Sequence, residues 1–456
     1  MDTAALSQKQ QMLLDTVRKL VRQGANANLD RMVDKLHPVE ISALFPHLND
    51  WEARNLLGML LEHDLSFGSE VLSEMDENIA TSLLEQLPKE RISQVISEVP
   101  ADDGASLLRM LPEEAAAEIV PTLEDDVSEA VEEVLAYPSD TAGGLMNTEP
   151  FALHDTNTIG EAITSLQQAS ESLEMVFYVY ITNGSDQLVG VLSLRSLLTR
   201  PPETPLKALM ITEVLSVHTS TSQKDVAKMV ARYNLLAVPV VDDFNKLVGI
   251  VTVDDVIDVL QEEANEDILK MVGAAEEEVG ERSTLRSVRT RAPWMLGTLA
   301  AGLLGSEVIH HYHPTLEATI VLAGFIPVMV GLSGNAGNQS AALTARGILQ
   351  AQGDGRMLWR YLFRELRVGA LLGMASAVLV ASFIAWRYAT SPMLPVAVGL
   401  SAFLSIVTAV TLGTLSPLLL NRLKLDPGFA TGPFVSTVVD VLGIAIYFML
   451  TTQLLS

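Results

Sequence analysis

The side chains with the most chemical potential in this sequence are oxygen donors, and Asp440 is the least expected of them. It is the only charged residue between Pro427 and Ser456, within Thr431-Gly-Pro-Phe-Val-Ser-Thr-Val-Val-Asp440-Val-Leu-Gly443. A carboxylate in a membrane-length apolar run costs on the order of 2.5–3.5 kcal/mol, and such residues face a water-filled cavity or an ion path. Asp440 is therefore read as lying on the path of a cation. A second set is soluble: Asp254, Asp255, Asp258, Glu262, Glu263, Glu266 and Asp267 fall within 14 residues. On a helix, 255, 258, 262 and 266 share a face, as do 263 and 267. Such clusters bind hard divalent cations such as Mg²⁺, often through retained waters. A solvated helix face is the bland reading. Metal is favoured because no Lys is interleaved before Lys270. Asp102-Asp103 sits at an expected helix start, where N-capping by one of the pair and metal binding both stay open. Last come the amides of Gly331-Leu-Ser-Gly-Asn335-Ala-Gly-Asn338-Gln339-Ser. This text cannot face lipid, because its polar groups would lack partners. It packs helix on helix through small residues, or lines a pore with amide oxygens, or both.

The chain that must position these groups has 456 residues, enough for several domains. Its charge is unevenly divided. Residues 1–284 hold 19 Lys+Arg against 50 Asp+Glu, and residues 285–456 hold 11 against 6. No Lys or Arg occurs from Leu111 to Leu194. The acidic half is unsuited to nucleic acid, whose phosphates need a basic footprint, and it suits cations. With no cysteine, disulfides and thiolate metal sites are excluded. The N-terminus is polar and carries no signal-peptide pattern, so the first half is expected in the cytoplasm.

Residues 1–135 read as an acidic helical domain. Pro88, Pro100 and Pro112 recur at intervals of 12 between short amphipathic segments. Proline suits the first turn of a helix, so short helices stacked into a superhelix are expected. Residues 136–265 hold an internal repeat, with copies at 136–200 and 201–265. Leu145-Met-Asn-Thr-Glu149 returns as Leu209-Met-Ile-Thr-Glu213, and Leu188-Val-Gly-Val-Leu-Ser-Leu-Arg-Ser196 as Leu247-Val-Gly-Ile-Val-Thr-Val-Asp-Asp255. Asn183-Gly184 between strand-like runs signals a hairpin. His154 and His218 recur at the same offset and read as ordinary strand residues. The repeat resembles a CBS-domain pair. That resemblance implies an adenine nucleotide such as ATP in the cleft between modules, with Tyr178 and Arg195 at the base or the phosphates, although an Arg at a helix start is equally a surface residue.

Residues 266–291 read as a connecting helix. Its sign flips after Glu281 to Arg282, Arg286, Arg289 and Arg291, as at a cytoplasmic membrane boundary. Five apolar spans of about 20 residues follow within 292–456, at about 292–311, 316–345, 368–387, 393–420 and 430–454. With the N-terminus inside, eleven basic residues fall on cytoplasmic segments and one, Arg387, outside. This places the C-terminus outside. Glu307 and Glu317, near outer span ends, read as snorkelling residues.

In this order the chain resembles the MgtE-type magnesium channels over almost its full length. The resemblance rests on the acidic N domain, the CBS pair preceded by Tyr137-Pro-Ser-Asp-Thr-Ala-Gly-Gly-Leu-Met146, and the motifs Gly-Asn-Ala-Gly-Asn-Gln339 and Asp426-Pro-x3-Thr-Gly-Pro-x6-Asp440. It implies a multidomain fold: a superhelical α N domain, an α/β tandem CBS pair, a connecting helix and a five-helix transmembrane domain. It further implies a homodimer in the bacterial inner membrane, with a pore on the two-fold axis. Asp440 matches the pore aspartate that holds hydrated Mg²⁺. Asp255, Asp258, Glu263, Glu266 and Asp267, with Asp102 and Asp103, match acidic positions of cytoplasmic Mg²⁺ sensing. Asn234 departs from the pattern, standing where many members carry Asp. The competing readings are a carrier of another divalent ion such as Co²⁺ or Mn²⁺, and a membrane-anchored sensor that transports nothing. No nucleophile–base constellation or phosphate loop appears in the soluble half, so an enzyme is not expected.

Overall fold

The computed structural model describes residues 8–169, 176–272, 284–351, 355–388, 391–423 and 433–455. The chain divides into two compact units, Met1–Gln261 and Glu262–Ser456. The first begins with a helical array: α1 (Gln8–Gln23), α2 (Asn26–Val33), α3 (Pro38–Ser42), α4 (Asp50–His63), α5 (Leu65–Ser73), α6 (Glu77–Leu84), α7 (Lys89–Ile96), α8 (Ala101–Arg109), α9 (Glu113–Ile119) and α10 (Asp125–Leu135). Pro88, Pro100 and Pro112 are the N-caps of α7, α8 and α9, with ψ of 145°, 158° and 140°. The sequence put them in the first turn; they stand one residue earlier. The residue before a proline is biased out of the helical region, and the proline itself lacks an N–H. Each therefore ends one helix and turns the chain into the next. Each short helix buries one stripe, and Leu84, Ile96 and Leu107 join Leu56, Leu57 and Leu60 in a single core. Glu52 of α4 is only 1% exposed, and Arg22 of α1 meets it at 2.6 Å. Buried carboxylates persist only with such partners, so this pair fixes α1 against α4.

The repeat forms two matching modules. The first contains β1 (Ala152–His154), α11 (Ile159–Ala169), β2 (Tyr178–Thr182), β3 (Leu188–Ser193) and α12 (Leu194–Leu198). The second contains β4 (Val217–His218), α13 (Gln223–Tyr233), β5 (Ala237–Val241), β6 (Leu247–Thr252) and α14 (Val253–Val272). In each, a first strand pairs parallel with the second and the second antiparallel with the third. The hairpin expected at Asn183-Gly184 is present, and its counterpart joins β5 to β6. The left-handed residues are Asp186 (φ 61°) and Asn245 (φ 60°), not Gly184. Asn183 and Asp242 shape the loops instead: Ser185 N and Gln187 N donate to Asn183 Oδ1 at 2.9 and 3.1 Å, and Phe244 N and Lys246 N to Asp242 Oδ1, both at 2.8 Å. These are side-chain-directed turns.

The repeated segments have a mechanical role. The Leu-Met-x-Thr-Glu segments cross between modules: Asn147 exchanges backbone bonds with Ile250 of β6 at 2.8 and 2.9 Å, and Ile211 with Val191 of β3, both at 3.0 Å. A Cβ on Gly249 would meet Asn147 O at 2.7 Å, and one on Gly190 would meet Met210 Sδ at 2.5 Å. Glycine is required where another chain segment approaches this closely. The histidines end strands in matching turns, with His154 Nδ1 2.8 Å from Thr156 Oγ1 and His218 Nδ1 2.8 Å from Ser220 Oγ. Asn234 is the left-handed C-cap of α13 (φ 51°, ψ 46°), a conformation in which Asn is favoured after Gly.

In the second unit α14 ends at Val272 and α15 (Thr284–His311) begins at Thr284. Residues 273–283 of the expected connecting helix lie outside the described residues. There follow α16 (His313–Ala318), a 3-10 segment Ile320–Phe325, α17 (Ile326–Ala351), α18 (Gly355–Arg387), α19 (Met393–Arg422) and α20 (Pro433–Leu455). Five described segments are long and apolar enough to cross a membrane: Ser287–His311, Ile320–Ile348, Trp359–Arg387, Met393–Arg422 and Val435–Leu455. The third begins earlier than expected, because the helix continues through the arginine-rich text at 360–367. Packing centres on α19, which lies against α17, α18 and α20. Small residues permit this. A Cβ on Gly413 would overlap the carbonyl oxygen of Gly337, and one on Gly399 would lie 3.0 Å from Ala377 O, the close backbone approach of membrane helices. Tyr447 donates its hydroxyl to Leu322 O at 2.8 Å and fastens the 3-10 segment to α20.

Candidate cation sites

Asp440 lies in the first half of α20. A Cβ on Gly334 of α17 would be 3.1 Å from Asp440 Oδ1, so glycine at 334 makes room for the carboxylate. A cavity of about 280 Å³ opens beside it; Thr298, Ser306, Ser436, Thr437 and Asp440 supply its polar groups, and apolar residues such as Ile309, Val330 and Ile444 form much of its wall. At about 30 Å³ per liquid water, six waters occupy roughly 180 Å³. A cation keeping its first water shell therefore fits. Among the described residues, Asp440 Oδ1 is buried and accepts no hydrogen bond, and the same is true of Asn338 Oδ1. An unsatisfied buried carboxylate oxygen is costly, and a cation or its water would satisfy it.

The amide triplet separates into two stripes. Asn338 is one helical turn from Gly334, the residue that touches Asp440, and therefore shares its face. Asn335 and Gln339, also one turn apart, form the neighbouring stripe and are exposed on this unit. Glu365 of α18 was not singled out in the sequence. It is 3% exposed and accepts a bond from Ser340 Oγ of α17 at 3.3 Å. Its text, Arg364-Glu-Leu-Arg367, looks like an ordinary juxtamembrane charge run, and only its burial distinguishes it. Asp426, Thr431 and Gly432 of the motif leading into α20 lie outside the described residues.

The soluble carboxylates gather between the helical array and the second module. Asp255 is the third residue of α14. Its Oδ2 accepts from Thr252 Oγ1 at 2.6 Å and from Thr252 N at 3.3 Å, the return half of a capping box. Burial above all pushes the Asp255 carboxyl up to about 7. The Thr252 bonds oppose this, and the charges of Asp254 and Asp103 add to it. Partial burial and then Asp254 raise Asp258. Glu74, the C-cap of α5, is raised by partial burial and then by Asp258 and Glu70. The cluster thus joins Asp254, Asp255 and Asp258 to Glu70, Glu74 and Asp103. Glu70 and Glu74 escaped the sequence reading because nothing distinguishes them from the other acids of the array. Asp102 and Asp103 are the second and third residues of α8. Neither is its N-cap, which is Pro100. Glu263 and Glu266 lie further along α14 and are half-buried; the side chain of Asp267 lies outside the described residues. Among the described residues no three His, Asp or Glu side chains converge tightly enough to enclose a bare ion. Tyr178 packs with Tyr180 on the cluster between the modules that includes Val241 and Ile250. Arg195 is exposed on α12.

Comparison with known proteins agrees with this layout. A family model described as MgtE, divalent cation transporter, matches residues 326–450. The MgtE intracellular N domain matches 36–140, and CBS domains match 142–203 and 206–262. The magnesium transporter MgtE of Bacillus subtilis (strain 168) is 32% identical, over 95% of each chain. That of Thermus thermophilus is 37% identical over 71% of this chain and 72% of the relative. Among solved structures, the cytosolic domain of the Mg²⁺ channel MgtE in complex with ATP is 31% identical with a TM-score of 0.51, covering 54% of this chain and 99% of that one. The soluble part of a magnesium transporter is 27% identical with a TM-score of 0.51, covering 56% of this chain and 99% of that one. On the strength of a relative matched along 95% of both chains and of family models for both its soluble and its membrane parts, the chain belongs to the MgtE family of divalent cation transporters.

Proposed function

We propose that this protein conducts Mg²⁺ across the bacterial inner membrane as a homodimer, with its N-terminus in the cytoplasm and its C-terminus outside, and that cytosolic Mg²⁺ closes it. The observation that carries the reading is Asp440: a buried, unbonded carboxylate oxygen in an apolar helix beside a cavity wide enough for a hydrated ion. An anchor or a sensor has no use for such a group. Asp440 and Asn338 supply oxygen only, with the hydroxyls of Ser436 and Thr437 nearby, and oxygen donors suit Mg²⁺ over softer metals. The membrane potential drives entry with about 2.3 kcal/mol per charge per 100 mV. Glu74, Asp103, Asp255 and Asp258, with Asp102, Glu263, Glu266 and Asp267, hold the regulatory ions through their waters. Without cations their like charges oppose docking of the helical array. Each ion contributes its differential affinity for the closed state, so several weak sites produce a steep response. The basic residues in the first turns of α15 and of α18 support the orientation. The aromatic face of Tyr178 and the guanidinium of Arg195 suit an adenine nucleotide in the inter-module cleft.

Flux of Mg²⁺ into liposomes tests the reading. Asp440→Asn keeps the shape and removes the charge. A fall of at least ~10-fold is expected, equivalent to about 1.4 kcal/mol. Undiminished flux in the variant refutes the pore assignment, and preferred flux of Co²⁺ or Mn²⁺ favours the alternative carrier reading.

A further inference from the structure

Helix α8 meets the rest of its unit at both ends, by two different chemistries. Its first turn carries Asp102 and Asp103, and the charge of Asp103 acts on Asp255. Its last residue is Arg109, about 9 Å further along the axis at ~1.5 Å per residue. The Arg109 guanidinium is half-buried. Nη1 donates to Gly144 O at 3.1 Å, and Nη2 to Val134 O and Tyr137 O, both at 3.0 Å. Val134 lies in the last turn of α10, and Tyr137 follows its C-cap, Ala136; Tyr137 N already donates to Val134 O at 3.1 Å, and the dipole at this end favours a cation.

These acceptors belong to a tight knot. A Cβ on Gly143 would meet the Tyr137 ring at 2.5 Å, and one on Gly144 would overlap Pro138 O. The knot is in turn bonded to the second module: Ala142 N donates to Thr221 O at 2.7 Å, Gly143 N to Thr219 O at 2.9 Å, and Gln223 N to Asp140 O at 2.8 Å. It is also where the helical array passes into the modules. Arg109 thus reaches across 25 to 35 residues of sequence to grip the passage between them. Its partners are neutral carbonyls, so this grip does not depend on a divalent ion. The other end of α8 carries Asp103, whose charge acts on that of Asp255, and in the gating reading a divalent ion offsets that repulsion.

We infer that Arg109 is the pivot of the helical array: a positioning residue that holds α8 to the knot with or without Mg²⁺, and so sets the Mg²⁺ concentration at which the acidic faces close. The inference rests on the gating reading above. A retained pivot keeps Asp103 within a short swing of Asp255. Loss of the pivot turns that swing into a loose tether, which lowers the effective concentration of one face near the other.

The test is a Mg²⁺ titration of the full-length protein, read by fluorescence transfer between dyes on α6 and on α13, with thermal unfolding at saturating Mg²⁺ as a second measurement. Arg109→Ala is expected to raise the midpoint at least ~3-fold and to reach the wild-type end point. Arg109→Lys, a single point donor in place of a planar fork, shifts it less. The control is Arg91→Ala, which removes an Arg-to-carbonyl bond contained within the array, Arg91 Nη2 to Leu61 O at 2.7 Å. It is expected to lower the unfolding temperature with the midpoint unchanged. Equal shifts by the Arg91 and Arg109 variants, or none by either Arg109 variant, overturn the pivot and leave gating intact. A wild type whose signal ignores Mg²⁺ overturns both. Should Arg109→Ala not fold, the comparison of Arg109→Lys with Arg91→Ala decides.

Discussion

Asp255 has two oxygens and two tasks. Oδ2 holds Thr252 at the start of α14, with bonds of 2.6 and 3.3 Å. The carboxylate as a whole faces the charges of Asp254 and Asp103. Asp258, one turn on, has the second task alone: its surroundings are partial burial and Asp254. The two are therefore separable. Asp258→Asn is expected to raise the Mg²⁺ midpoint for closure a few-fold with the unfolding temperature unchanged or raised, since burial and Asp254 disfavour its charge. Asp255→Ala is expected to do the same, and to melt below Asp255→Asn, which equally removes the charge that burial disfavours but keeps an oxygen for Thr252, by the equivalent of about 1 kcal/mol, the ordinary cost of a lost cap. A titration and a melting curve on each variant check this, and equal melting temperatures of the two Asp255 variants speak against the capping task. The sequence showed both residues as acids on one face. It did not show that one of them caps. Asp440 was legible because a lone charge in apolar text is conspicuous. Glu365 was not, because its neighbours are arginines and its 3% exposure is a property of packing.

At the level of elements, what spacing alone conveyed was period, and what it missed was approach. The 12-residue proline interval announced the short helices, and the repeat announced two modules. The reason for Gly190 and Gly249 appears only when the crossing strands at Asn147 and Ile211 are seen against them. The hairpin at Asn183-Gly184 was legible, but not that the side chain of Asn183 organises the loop and that its left-handed residue is Asp186. The small residues of the second span were read as packing or pore, and both uses occur on one helix. Gly337 meets α19, while Gly334 faces Asp440. This makes Gly413 a sensitive position. A methyl there would overlap the carbonyl oxygen of Gly337, which is backbone and cannot rotate away. Gly331, by contrast, has open space around its Cβ position. Gly413→Ala is expected to lower the melting temperature of the detergent-solubilised protein, and Gly331→Ala to leave it unchanged or raise it, since Ala exceeds Gly in helix propensity by ~1 kcal/mol. Similar melting of the two variants contradicts the close crossing of α17 and α19.

For the molecule as a whole the informative quantity is the division of charge. Residues 1–284 carry 50 acids against 19 basic residues, while residues 285–456 carry 6 against 11. A domain so charged opposes its own compaction, and the acids that cluster in it are the ones whose burial and mutual repulsion push their pKa values up. The unit that holds Asp440 keeps only the far end of this acidic run, from Glu262 on; the acids raised by burial and repulsion lie in the first unit. Conduction is therefore assigned to the second unit and the larger part of its control to the first, and the two should be separable by removing the first. Deleting residues 1–261, the first compact unit, is expected to leave Mg²⁺ flux that millimolar Mg²⁺ on the cytoplasmic side no longer suppresses, whereas the full chain is suppressed. Adding Asp440→Asn to the deletion is expected to abolish that flux, which excludes leak through a damaged membrane domain. Flux measured in liposomes under both conditions decides the matter. If the deleted protein is still suppressed by Mg²⁺, the controlling site lies among residues 262–456, and the acidic cluster serves another purpose.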